Sequence, residues 1–159
     1  MSEGESNRGD GNGSAGRPAM LETGKGPTVV HNGRALYSRH DPSRDPIKSA
    51  TSLSIPDETL VLCVSPLLGY GLDALLDKTP ARSLVLALER DEDLMALSVS
   101  AIDERILKHP RFRYARTSSS ERVVEYVDSL GLPPFRRCVR VDLSAGASLD
   151  AAFYAETTR

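Results

Sequence analysis

Two places in this chain put chemistry-bearing residues at an informative spacing. The first is Ser65-Pro66-Leu67-Leu68-Gly69-Tyr70-Gly71, a turn that follows an apolar run and precedes apolar residues at helical spacing. Glycines in such a turn let the backbone approach a phosphate or an adenosyl group with no Cβ in the way. The second is Glu89, 20 residues beyond Gly69 at the end of the next apolar run. At that position a carboxylate accepts hydrogen bonds from ribose hydroxyls. Ser65, Gly69, Tyr70, Gly71 and Glu89 are therefore the candidate ligand residues, and the chemistry they suit is the binding of a nucleoside or nucleotide. No catalytic residue is identified.

The same residues support a plainer reading. The loop spacing resembles that of S-adenosylmethionine-type methyltransferases, in which glycines recur at alternate positions and a Gly-Tyr pair often closes the turn. Laid on that pattern, Ser65 and Leu67 take the first two glycine positions, Cys63 stands where an acid is common, and only Gly69 matches. Pro66 removes one backbone donor. The loop is thus expected to be a structural corner, with a retained binding loop as the alternative. Glu89 can equally belong with Asp91 and Asp93, acids that favour the start of the helix that follows. Asp142, at the end of a later strand, either orients a substrate or caps the turn before Ser148. Ser118-Ser119-Ser120 either caps a helix or cradles a phosphate.

The elements that must position these residues follow from the hydrophobic pattern. Continuous apolar runs at Thr59–Ser65 and Ser83–Leu88 have the length and composition of parallel strands buried on both faces. Leu72–Leu76 between them has helical spacing, which makes Thr59–Asp91 a βαβ unit. A long helix is expected over Glu92–Leu107, a third strand at Phe112–Ala115, and a helix over Ser118–Leu130 capped by Ser118 and stopped at Gly131. A fourth strand covers Arg137–Leu143, and Ser148–Ala155 is a last helix. Upstream, Thr28–Val30 and Ala35–Tyr37 flank Asn32-Gly33, the strongest short hairpin signal. Asp41-Pro42 reads as a helix start, and Pro46 should keep that helix short. Residues 1–26 hold 7 of the 12 glycines and almost no large apolar side chains. Such a segment buries too little surface to offset its ordering entropy and is expected to be disordered.

The expected architecture is an α/β, Rossmann-like three-layer sandwich with a mostly parallel sheet, comprising a tail (1–26), a hairpin with a short helix (27–58) and a partial Rossmann-like domain (59–159). Four strands make a short sheet. Its open edge is expected to be completed by the hairpin, a partner or a second copy.

The formal net charge of −2 and pI of about 5.9 argue against a nucleic-acid surface. The local basic clusters, Arg111 to Arg116 and Arg136, Arg137 and Arg140, are expected to be solvated strand ends, with a phosphate patch as the alternative. Cys63 and Cys138 fall inside expected strands and read as buried thiols. Neither forms a CxxC pair, so no metal site is expected. No run approaches a membrane span and no apolar leader is present, so a cytoplasmic location is expected.

Gly24–Ala50 carries a family resemblance. Leu36, Ser38, Arg39, Asp41, Pro42, Arg44 and Asp45, placed after the Asn-Gly turn, resemble a box in the N-terminal region of bacterial motility-associated factor glycosyltransferases. These are flagellin-modifying proteins whose central domain is similar to an archaeal hydroxymethylpterin diphosphokinase. His40 replaces the usual aromatic residue and Pro46 a small one. Gly69 and Tyr70 fit the Gly-Tyr turn that follows, and the resemblance extends to about Leu97. It implies an accessory N-terminal Rossmann-like module without the transferase centre. Such a module would recognise a nucleotide sugar or a protein partner, either flagellin or a separate transferase domain, or would self-associate. Gly69, Tyr70 and Glu89 are the residues it places at the ligand edge. The alternative is an S-adenosylmethionine-dependent methyltransferase-like or other nucleotide-using transferase domain. The cofactor is unassigned between a nucleotide sugar and S-adenosylmethionine.

Overall fold

The computed structural model describes residues 16–159. Four parallel strands form the main sheet: β4 (Thr59–Val64), β5 (Leu84–Glu89), β6 (Phe112–Arg116) and β7 (Arg137–Asp142). Their spatial order is β6-β5-β4-β7. Leu60 pairs with Leu84 and Val64 with Leu88, and on the other side Thr59 pairs with Arg137 and Val64 with Asp142, all in parallel. The order reverses at β4, so the crevice at the carboxyl ends of β4 and β7 is the topological switch point where open α/β sheets bind ligands.

Alternation along β4 feeds two cores. Val61 and Cys63 point to one face, with Ala50 of α1 (Arg44–Ser52), Leu72, Leu75 and Leu76 of α2 (Leu72–Lys78) and Ile106 of α4 (Glu104–Leu107). Leu62 and Val64 point to the other, with Val123 of α5 (Ser120–Ser129) and Phe153 and Tyr154 of α6 (Ala151–Thr157). The result is the expected three-layer α/β sandwich. Among the described residues no helix is long and apolar enough to cross a membrane.

A separate antiparallel sheet precedes it, built from β1 (Ala19–Thr23), β2 (Gly26–His31) and β3 (Arg34–Ala35). The Asn-Gly hairpin forms as expected. Asn32 and Gly33 have φ of 50° and 74°, the two positive values that a type I′ turn requires. β1 is a correction, because residues 19–23 fall in the stretch expected to lack structure. They pair along β2 from Ala19–Val30 to Thr23–Gly26, so an exposed strand is ordered by its ladder and not by burial. Residues 24–26 make the turn into β2, and residues 1–15 of that stretch lie outside the described residues.

Other boundaries move for local reasons. The first helix begins at Arg44, with Ser43 in place of Asp41 at the cap. Pro46 sits in its first turn, where no backbone donor is needed, and the helix runs nine residues. The expected Glu92–Leu107 helix is two. α3 (Glu92–Ala101) ends where Ile102 turns extended, and Asp103 caps α4 by accepting from the Arg105 amide. Ser119, not Ser118, caps α5. The C-terminal segment starts as a 3-10 turn at Ala145–Asp150 before α6. Cys138 is exposed, because β7 is an edge strand, whereas Cys63 is fully buried. The small sheet does not extend the main one, so the outer edges of β6 and β7 have no strand partner among the described residues.

Candidate functional site

The turn after β4 keeps the backbone shape of a glycine loop without the glycines. Ser65 and Leu67 both have φ of 48°, and Gly69 and Gly71 have φ of 80° and 87°. A non-glycine residue held in the left-handed region costs about 1–2 kcal/mol and persists only where its surroundings over-determine it. The surroundings of Ser65 are explicit. Its amide donates to the Leu88 carbonyl at 2.8 Å, and its Oγ donates to Glu89 Oε2 at 2.7 Å. Its carbonyl accepts from Ser144 Oγ at 2.6 Å.

Glu89 closes β5 and is 1 % exposed. Its second oxygen, Oε1, accepts from the Arg90 amide at 2.9 Å, the Asp91 amide at 3.1 Å and the Tyr154 hydroxyl at 3.1 Å. Tyr154 in turn accepts from the Arg90 amide at 3.0 Å. Burial raises the Glu89 carboxyl above its ordinary range, against the lowering effect of those donors, Ser65 first. Burial, together with the Glu89 charge, likewise pushes the Tyr154 phenol up. Ser65 and Glu89, two of the five residues expected at a ligand edge, therefore meet directly, but they bond to each other and to α6.

The 3-10 turn seals this contact from above. Gly146 lies so close that a Cβ on it would fall 2.0 Å from Ser65 Oγ. Ser144 positions it, accepting from the Gly146 amide at 3.0 Å while holding the Ser65 carbonyl. Ser144 thus makes the turn contact expected of Asp142. Asp142 instead takes a two-pronged ion pair from Arg140, both bonds at 2.8 Å.

Of the remaining three expected residues, Tyr70 joins the loop to the small sheet, and Gly69 and Gly71 permit close packing of neighbouring elements. Tyr70 donates to the Pro27 carbonyl at 2.8 Å. Its ring meets Tyr37 edge-on, with centroids 5.0 Å apart. Tyr37, between the box residues Leu36 and Ser38 but not itself one of those matched, donates to the Pro66 carbonyl at 2.9 Å and accepts from the Leu68 amide at 3.1 Å, which pins the loop. A Cβ on Gly71 would lie 2.7 Å from the Pro46 carbonyl oxygen, so this glycine permits α1 to touch the start of α2. Gly69 similarly makes room for Ile102 at 3.0 Å. The hairpin, the box and the Gly-Tyr turn are thus one packed unit.

Beside Glu89 lies a cavity of about 360 Å³ lined by His31, Arg90, Asp91, Asp150 and Tyr154, among others. His31 comes from β2, is 4 % exposed, and contacts Asp91 Oδ2 through Nε2 at 3.2 Å. Asp91 meanwhile caps α3, with Oδ1 accepting from the Asp93 and Leu94 amides. Arg90 pairs with Asp150 and lies over the Phe153 ring, 4.4 Å from its centroid. The lining holds three acids, Glu89, Asp91 and Asp150, and its one arginine is already paired with Asp150, so it offers a phosphate group no free arginine. Sequence reasoning missed His31, Tyr154 and Gly146, because they reach the edge from the hairpin and from the C-terminal segment. Among the described residues no cluster of three or more His, Cys, Asp or Glu is placed to hold a metal.

The basic clusters are largely engaged. Arg111 donates to the Thr79 carbonyl, Arg113 to the Pro110 and Phe112 carbonyls, Arg116 pairs with Glu92 and Arg136 with Glu58. The three serines provide the Ser119 cap, as one of the two expectations had it.

No family model matches the chain. A Treponema pallidum (strain Nichols) protein, described as an uncharacterized protein, is 29% identical over 140 residues. The match covers 88% of this chain and 24% of that protein, so the chain spans about a quarter of the relative's length. Among solved structures, the chain is similar to spermidine synthase from Thermotoga maritima, with 15% identity, 63% of this chain and 36% of that chain covered, and a TM-score of 0.47. That likeness says nothing of this chain's activity.

Proposed function

We propose that this chain is an accessory, non-catalytic Rossmann-like module of a motility-associated, flagellar glycosyltransferase-like protein in the cytoplasm, and that it recognises a protein partner and not a nucleotide. One observation carries the non-catalytic part. The carboxyl edge, where a nucleoside would place its ribose, is occupied by the chain's own Ser65–Glu89–Tyr154 hydrogen bonds with Gly146 packed against them. A ribose diol could reach Glu89 only by displacing donors from a buried carboxylate, at about 1–3 kcal/mol for each group left unpaired. The acid-lined cavity alongside offers a sugar nucleotide's phosphates no free arginine. The flagellar assignment rests on the resemblance of Leu36, Ser38, Arg39, Asp41, Pro42, Arg44 and Asp45 to the family's box.

The competing reading is a methyltransferase-like domain, supported by the left-handed backbone at Ser65 and Leu67. A thermal-shift panel of S-adenosylmethionine, ATP, NAD and CMP-sugars separates the two. A specific ligand at 100 times its Kd adds about 2.7 kcal/mol, or roughly 8–10 °C for a domain of this size. The accessory reading predicts no shift with any of them. A shift with S-adenosylmethionine that Glu89→Ala removes would overturn it. The flagellar part is tested by gene context: neighbours in flagellin or nonulosonic-acid synthesis are expected, and an unrelated operon would count against it.

A further inference from the structure

We infer that the outer edge of β7 is a docking site for an extended acidic segment of a partner protein, which adds a fifth strand to the sheet. This goes beyond the proposed function and does not depend on what happens at the carboxyl edge.

The two edges of the main sheet are not alike. In β6, Phe112 and Ala115 are buried, only Arg116 is exposed, and its arginines are turned onto the chain itself. β7 carries Arg137, Cys138 and Asp142 in the open, and only Val141 is fully buried. A strand with one ladder unmade presents backbone donors and acceptors to any chain that can align with it. The β7 edge is neither short nor interrupted by proline, being six residues long, and the device it does carry is charge, at Arg137, Arg140 and Asp142.

Charge selects the occupant. Arg136, Arg137 and Arg140 stand along the strand and its lead-in against one acid, Asp142. Arg136 pairs with Glu58 and Arg140 with Asp142, while Arg137 pairs with no carboxylate among the described residues. A second copy would bring the same arginines to the same edge. With the two-fold axis perpendicular to the sheet, residues of matching parity face one another. Arg137 then never faces the copy's Asp142, which is of opposite parity and already held by Arg140, and so stays without a carboxylate. An acidic strand supplies one. Arg137 and Arg140 are on opposite faces, so the residues beside them on the added strand are three positions apart. The recognised pattern is an extended segment with acids at i and i+3 and β-branched residues between, which meet Cys138 and Val139.

The fold supplies a tether for the test. Arg140 Nη1 lies 3.5 Å from Thr158 Oγ1, so the end of α6 is beside β7. A seven-residue strand with glutamates three apart, fused after Arg159 through a flexible Gly/Ser linker, is presented to the edge at about millimolar effective concentration. A control fusion carries lysines at the two acidic positions. Hydrogen exchange of the β7 amides and modification of the Cys138 thiol by an uncharged maleimide are then measured in the full chain. The proposal predicts at least tenfold slower exchange and modification with the glutamate strand, no change with the lysine strand, and loss of protection in Arg137→Glu. Equal protection by both strands, or none by either, would overturn it. If the chain without any fusion protects Cys138 more as its concentration rises, with a dimer seen by light scattering, the occupant is a second copy and the proposal fails.

Discussion

Ser65 separates two opposing forces in one side chain, so replacing it in two ways tests the site directly. Ser65→Ala keeps a Cβ in the left-handed conformation at φ 48° and deletes the 2.7 Å bond to Glu89. A hydrogen bond to a buried charged group is worth about 1.5–3 kcal/mol, so Ser65→Ala should lose about 2 kcal/mol. Ser65→Gly loses the same bond but removes the left-handed penalty of about 1–2 kcal/mol. Glycine returns about 0.4–1 kcal/mol of that through the added freedom of its unfolded chain. The glycine variant should therefore be more stable than the alanine variant by about 0.5–1 kcal/mol. At roughly 3–4 °C per kcal/mol for a domain of this size, the alanine variant should melt about 7 °C below the parent, with glycine about 2–4 °C above alanine. Equilibrium urea unfolding gives the free energies, and thermal melts give the midpoints. The reasoning fails if alanine matches the parent, since the Ser65–Glu89 bond would then contribute nothing. It fails equally if glycine is no better than alanine, since the backbone would then carry no strain.

Three further outcomes follow from the same geometry. Glu89 binds its proton more tightly folded than unfolded, because burial raises its carboxyl above the ordinary 4.5. The folded state therefore holds more protons across that interval, and stability should fall as pH rises from about 4.5 through the raised value and then level off; in Glu89→Gln that part of the pH profile of unfolding should vanish. Gly71→Ala would place a Cβ 2.7 Å from the Pro46 carbonyl oxygen at a φ of 87°, so it should cost more than about 2 kcal/mol in urea unfolding, against less than about 0.5 kcal/mol for a change at exposed Val124. A thiol reagent should modify Cys138 alone in the native chain, since Cys63 is fully buried and its thiol is pushed up to about 12 by burial; mass spectrometry of native and urea-unfolded samples counts the adducts, and prompt double labelling of the native chain would contradict the packing.

The central βαβ unit was legible because β4 and β5 are buried on both faces, and that condition leaves an uninterrupted apolar run in the sequence. The Asn32-Gly33 turn was legible because only such residues hold two successive positive φ values at little cost. What escaped the sequence was set by partners distant along the chain. β1 is an exposed strand whose order comes from its ladder with β2, and no composition rule reports a ladder. The break between α3 and α4 was hidden because Ile102 continues the apolar spacing while its backbone turns extended, although Asp103 followed by Glu104 carried a cap signal. Cys138 looked buried because β7 has a strand's composition, and only the order β6-β5-β4-β7 makes it an edge. At the site, the sequence placed Ser65 and Glu89 at neighbouring strand ends. That they bond to each other, with Tyr154 arriving from 65 residues away, was not readable, because the closure depends on the fold of the C-terminal segment.

The account turns on whether the end of β5 is available to a ligand. Isothermal titration of the full chain with S-adenosylmethionine at millimolar concentration tests it most directly. Heat no greater than that of dilution, in the parent and in Glu89→Ala alike, is the predicted result. Saturable one-to-one binding by the parent, lost on Glu89→Ala, would mean that the edge opens to a nucleoside, and the module would then have to be read as a cofactor-binding domain.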